Sequence, residues 1–301
     1  MFSTKMFLLK LLPLLCLAGA DQWTDLKTTF GLNPFGDYFL SRPRTVMAAE
    51  EAGWQLMDSC NGMFNGHRYG DPSDPSLVLI YDDAGYIAGV QSGVLLEYTD
   101  ETLYPFSSRP VYNLGDFFGT PAYFTTAYFT DPAIICAGGR TNDQFNAQGT
   151  GDRLLIQTGP TADTVLSIPL TQAEADMSDI WYDHFCFLGM GDHYFQFNYT
   201  PDQDCKDTFP VQILYDQGVI NGFVWQHLAN LPGSKWEHPD ATAVEALIDR
   251  PPTCIFDVLE DPGLSTMHHY FYSYPWLTLC PFKNSARSLT AYREFMMAKR
   301  H

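Results

Sequence analysis

Basic charge is scarce in this chain: 301 residues carry 17 Lys and Arg against 35 Asp and Glu, a net charge of −18. A surface of that sign repels nucleic-acid phosphate and anionic membrane, so neither is expected as a partner. Long apolar runs are also missing, and no stretch after residue 20 is apolar for long enough to span a bilayer. Catalytic signatures that spacing alone reveals are absent. There is no Gly-x-Ser-x-Gly elbow, no His-Glu-x-x-His, no His-x-His and no Cys-x-x-Cys. Gly138-Gly139 and Gly149-Thr150-Gly151 lack the strand-to-helix setting of a nucleotide loop. Helical periodicity is rare too. It shows best in the tail, 285–299, where Leu289, Tyr292, Phe295 and Met296 form one stripe, read as a short C-terminal helix over 285–301 that docks on the core.

What is present begins with a leader. Lys5, the run Leu11-Leu12-Pro13-Leu14-Leu15-Cys16-Leu17 and the small residues Ala18-Gly19-Ala20 read as a secretory signal peptide over 1–20. Its removal takes Lys5 and Lys10 but no acid, moving the net charge from −18 to −20. Cys16 leaves with it, so Cys60, Cys136, Cys186, Cys205, Cys254 and Cys280 remain of the seven cysteines. An even set in an exported chain implies disulfides. Asn198-Tyr199-Thr200 is the one glycosylation sequon, with Asn198 as acceptor. The expected protein is secreted, acidic and without a membrane span.

The stretch Gly189-Met190-Gly191-Asp192-His193-Tyr194-Phe195-Gln196-Phe197-Asn198-Tyr199 alternates with period two. His193, Phe195, Phe197 and Tyr199 share one face and Asp192, Tyr194, Gln196 and Asn198 the other, the pattern of a half-buried strand. A fainter echo stands at Gly62-Met63-Phe64-Asn65-Gly66-His67. Around each copy the same features follow in order. A short helix capped by Thr45 or Thr171 comes first, the latter with Glu174 in a capping box. Next come a cysteine, the Gly-Met motif and a hairpin with Tyr81-Asp82 or Tyr215-Asp216 and a turn glycine, Gly85 or Gly218. Last come an aromatic strand and a second cysteine. Five features in one order indicate duplication.

The fold class expected is mainly β (α+β), with two tandem diverged β-rich repeats, each opened by a short helix and stapled by disulfide. An entry segment covers 21–36, the first repeat 37–145 and the second 146–284. Equivalent positions should pair equivalently, which predicts Cys60–Cys136 and Cys186–Cys280 and leaves Cys205–Cys254 as an addition to the second repeat.

Histidine separates the halves. The first has His67 alone, whereas the second has His184, His193, His227, His238, His268 and His269. A functional site is therefore placed in the second repeat, with His193, His269 and Asp192 as the catalytic candidates. A cluster of His193, His268 and His269 would suit copper or zinc. Phe195, Trp225, His227 and Tyr270 are the candidates to line an apolar site for a small organic molecule. Asp183, Asp192 and Glu237 are further acid–base candidates.

Met267-His268-His269 resembles the ligand vocabulary of the copper-dependent ascorbate monooxygenases, which are likewise secreted and built of two related β units. The resemblance covers those few residues, and the His-x-His pair and the ordered His-His-Met of that family are absent, so membership is not inferred. The function expected from sequence is an oxidoreductase acting on a small organic substrate, with or without metal. The alternative is a non-catalytic extracellular ligand-binding or matrix protein.

Overall fold

The computed structural model describes residues 22–31, 36–196 and 199–280. The expected leader, the expected C-terminal helix and the sequon's Asn198 lie outside the described residues. In chain order the elements are β1 (Lys27–Thr28), β2 (Leu40–Ser41), α1 (Val46–Glu51), β3 (Gln55–Ser59), β4 (His67–Asp71), β5 (Asp74–Tyr81), β6 (Ile87–Leu95), β7 (Asn113–Phe117) and β8 (Thr120–Tyr128). They continue with α2 (Pro132–Ile135), α3 (Asn142–Gln148), β9 (Leu155–Gln157), β10 (Val165–Ser167), α4 (Gln172–Asp176), β11 (Tyr182–Phe187), β12 (Gly191–Phe195), β13 (Val211–Asp216) and β14 (Val219–His227). The last are α5 (Ala241–Leu247), α6 (Cys254–Glu260) and β15 (Ser265–Tyr270). The structure is mainly β, and among the described residues the six α-helices are all short.

Two antiparallel sheets account for the strands. The first runs β3-β4-β5-β6-β8-β9-β10, with β7 added on β8, and the second runs β11-β12-β13-β14-β15-β1-β2. Sheet membership does not change between residues 145 and 146. β9 and β10, beyond that point, close the first sheet, while β1 and β2, from the N-terminal stretch, close the second. Each hairpin, β5–β6 and β13–β14, has a turn glycine at positive φ, Gly85 at 82° and Gly218 at 89°, where a side chain would be strained. Each has a register shift at its tyrosine, between Ile80 and Tyr81 and between Leu214 and Tyr215.

The same tertiary contacts recur in both sheets. Thr45 caps α1 by accepting from the Ala48 amide at 3.3 Å, and Thr171 caps α4 through the Glu174 amide, with the Glu174 carboxylate returning to the Thr171 amide at 3.1 Å. Tyr81 donates to the Pro43 carbonyl at 2.9 Å and Tyr215 to the Pro169 carbonyl at 2.8 Å. Tyr69 donates to Glu50 of α1 and Tyr194 to Asp176 of α4. The cysteines pair Cys60–Cys136, Cys186–Cys280 and Cys205–Cys254.

Register corrects two details of the sequence reading. His67 faces Tyr81 and Arg68 faces Ile80, whereas Asp192 faces Tyr215 and His193 faces Leu214. The place of His193 is thus held in the first sheet by Arg68, one residue past the histidine of the echo. Strand β12 also stops at Phe195, and its second face is not solvated: Tyr194 is fully buried because α4 packs over it.

The sheets pack face to face around a shared core. Trp23 stacks on Phe271 with centroids 3.7 Å apart, and Phe129 of the first sheet meets Phe223 and Phe271 of the second. Successive residues of a strand point to opposite faces. In the second sheet Ile213, Phe223, Trp225, His227, Met267 and His269 therefore face the first sheet, while His193, Phe195, Gln212, Val224, Gln226 and His268 face outward.

Candidate functional site: a cavity over the second sheet

The outward face of the second sheet is roofed by the segment between β14 and β15. Its helix α5 is started by Asp240, whose carboxylate accepts from the Ala243 amide at 2.9 Å. Val244, Leu247 and Ile248, at helical spacing, turn to the sheet. Helix α6 follows, and Cys254 at its first position is tied to Cys205. The corresponding connection of the first sheet, between β6 and β8, builds no roof. It adds β7 to the sheet edge and sends Tyr104, Phe106 and Tyr112 into the core between the sheets.

Between roof and sheet lies a cavity of about 600 Å³. Phe195, Gln212, Val224, Gln226, Thr266 and His268 supply its floor, and Leu228, Trp236, Val244, Ile255 and Leu264 much of its wall. Exposed Tyr38, Ser234, His238 and Asp240 mark where it opens. Cys205 lines it as well, so the third disulfide is part of the wall. The volume falls in the range that encloses a small organic ligand.

The polar groups here are few and fixed. Glu237 is pinned by backbone pairing with Thr266, N to O at 2.8 and 2.9 Å in the two directions. Its carboxylate accepts from the Phe30 amide at 2.7 Å, from His268 Nδ1 at 2.5 Å and from the Thr266 hydroxyl at 3.3 Å. On the floor, Gln226 donates to the Phe209 carbonyl at 2.7 Å. A carbonyl only accepts, so this bond orients the Gln226 amide and turns its oxygen to Gln212 Nε2, also at 2.7 Å.

The expected site residues divide over the two faces of the sheet. His193 and His268 share the outward face, with ring centroids 6.3 Å apart although β13 and β14 lie between their strands. His193 Nδ1 lies 3.0 Å from the Gly191 carbonyl oxygen. Burial, helped by His268 and opposed by backbone hydrogen bonds, pushes its pKa down to about 3. His269 points the other way and stacks on Phe223 with centroids 4.7 Å apart, and burial holds its pKa well below the ordinary value. The proposed trio of His193, His268 and His269 therefore does not converge, and among the described residues no three His, Cys, Asp or Glu side chains are grouped to hold a metal ion.

Asp192 is on the face opposite His193, where Gln172 donates to it at 3.3 Å. His227 also faces the first sheet and is hydrogen-bonded to Ser92 at 3.0 Å and Tyr112 at 2.8 Å; burial pushes its pKa down to about 3. Trp225 lies in the core between the sheets. Tyr270 faces outward but packs with Phe30, Phe39 and Leu214 beside the cavity. Of the residues singled out for ligand or metal, Phe195 and His268 line the cavity.

The roof was missed. Its signals were Asp240 as a helix cap and the apolar spacing of Val244, Leu247 and Ile248, hidden in a connection with two prolines at 251 and 252 and no β pattern. Glu237 stood among the acid–base candidates, but its pairing with His268 across 31 residues has no sequence signature. Compared with known proteins, the chain matches no family model, no curated protein and no solved structure.

Proposed function

We propose that this is a secreted protein of two tandem β units whose second unit binds a small, largely apolar organic molecule in the cavity under α5. The observation that carries this reading is the cavity itself: about 600 Å³, walled by aliphatic and aromatic side chains, with a few oriented polar groups. Matching strand order, helix caps and Tyr-to-carbonyl bonds support the two-unit description. Three disulfides and the leader-like first 20 residues support export. The test is to extract the natively secreted protein into organic solvent and identify any co-purified small molecule by mass spectrometry, alongside Ala243→Trp, which fills the cavity from a partly exposed helix position. The wild type should carry a compound that the variant lacks; no bound compound in either, and no uptake of apolar probes by the wild type, would end the proposal.

The contact between His268 and Glu237 favours an enzymatic second reading. A carboxylate that orients an imidazole at a cavity wall is the arrangement of a general base and its positioning partner. On that reading Glu237→Gln abolishes turnover of the bound compound even at saturating concentration. An oxidoreductase, the class expected from sequence, would in addition need an electron acceptor, for which the three histidines as placed form no ligand set.

A further inference from the structure

The cavity is unequal in its hydrogen-bonding chemistry. Two carboxylates, Glu237 and Asp240, belong to its lining, and among the described residues no Lys or Arg does. Its floor carries an acceptor whose direction is fixed. The relay from Gln212 through Gln226 to the Phe209 carbonyl uses the Gln212 amide nitrogen, so the Gln212 oxygen is the end left over. Gln212 is 6% exposed and lines the cavity, and among the described residues nothing is seen to donate to that oxygen. Phe195, Tyr199 and Trp236 add aromatic faces, which attract cations. Around all this the chain carries a net charge of −18, a field that draws cations and repels anions.

Resting on the binding role proposed above, we infer that the occupant is a lipophilic amine: an organic cation with an extended apolar body. An ammonium group brings donors to a site that offers acceptors, and its charge is matched by the two carboxylates. A fatty carboxylate of the same length would bring its charge against Glu237 and Asp240, with no Lys or Arg among the described lining residues to meet it; the two lining histidines are His238 at the opening and His268, whose Nδ1 is already held by Glu237. A neutral alcohol would fill the volume but offers one donor and no charge.

The experiment is titration calorimetry of the full secreted chain at pH 7 and low salt with three probes of equal length, n-decylamine, n-decanol and decanoate. A hydrogen bond to a charged group is worth enough to give decylamine about a tenfold or greater advantage over decanol, with decanoate weakest. In the double variant Gln212→Met, Asp240→Ser, in which Ser keeps the α5 cap, decylamine should fall to within about threefold of decanol. Circular dichroism shows whether the variant is folded; if it is not, each single variant is to halve the advantage or more. Decanol or decanoate binding as tightly as decylamine, or a folded variant that keeps the full preference, overturns the amine assignment and leaves the binding role standing. Failure of all three probes to bind overturns the binding role itself.

Discussion

The two sheets share the order of five strands, β3-β4-β5-β6-β8 and β11-β12-β13-β14-β15, and the same framework bonds, with different contents. On the outward face of the first, Arg68 donates to Gln91 at 2.7 Å and Gln91 to Thr126 at 2.9 Å, with the guanidinium between the rings of Phe64 and Phe124. The second sheet has His193, Val224 and His268 in those register positions. The following aspartates differ too. Asp82 holds buried Arg140, whereas burial raises the carboxyl pKa of Asp216. A framework set by backbone register and a few tyrosines leaves the outward face free to diverge. The first sheet closes it with Arg68 stacked between two rings, and the second leaves it open under a helical roof.

Acid should break the comparison most strongly. His193 and His227 have folded pKa values lowered to about 3 from 6.5. Above pH 6.5 both states are neutral and no penalty exists. As pH falls from 6.5 toward 3, the unfolded chain takes up protons that the fold refuses, and stability drops by on the order of 1.4 kcal/mol per pH unit for each histidine. Denaturant melts between pH 7 and 4 should show this slope, and His227→Leu should flatten it. Hydrogen exchange at pH 4.5 should find the second sheet opening before the first, whose single histidine, His67, is partly exposed; equal protection in both sheets would contradict the assignment.

Disulfides come next. The bridges Cys60–Cys136 and Cys186–Cys280 close loops of 76 and 94 residues, for which loop-closure entropy gives nearly the same stabilisation, about 4.5 kcal/mol each. Replacing either pair by alanine should lower stability comparably. Loss of Cys205–Cys254, which closes 49 residues, should cost about 0.6 kcal/mol less than loss of the longest loop but should weaken ligand binding, since it frees a cavity wall. A cavity that binds equally well without it would show that the roof is held by packing alone.

The matched positions themselves give a smaller effect. Arg68→Leu strands Gln91 and empties the slot between two rings, and should cost about 3 kcal/mol. His193→Leu removes a buried, uncharged ring with a bond to the Gly191 carbonyl and should cost about 1 kcal/mol. Chemical melts of the two variants decide whether the outward faces are as unlike in energy as in chemistry. Smallest in stability is Ala243→Trp, expected within about 1 kcal/mol of wild type because the position is partly exposed, yet enough to abolish binding.

Much of the framework was legible in the residues. Threonine caps, alternating strands, turn glycines and cysteine order are local patterns whose physics acts within a few positions, and the Thr171–Glu174 capping box and all three disulfides are present as expected. The site was less legible. Neighbours on a strand such as His268 and His269 point to opposite faces, but the strand pattern alone did not reveal which face would be roofed and which pressed against a second sheet. The 31 residues from Glu237 to His268 and the 135 from Ser92 to His227 are crossed by hydrogen bonds that no spacing rule anticipates.

By itself, the sequence determined the acidic charge, the β character and the helix starts at Thr45 and Thr171, because each follows from composition or from neighbours along the chain, and it anticipated the cysteine pairs from the order of features shared by the two halves. Tertiary structure alone decided that an N-terminal stretch completes the sheet of the second half, that Arg68 and not His67 answers His193, and that Phe195 and His268 meet a helix to enclose a cavity while Trp225 and His227 do not. Those outcomes depend on register and on which surfaces press together, and both are settled by the burial of whole faces rather than by any single residue.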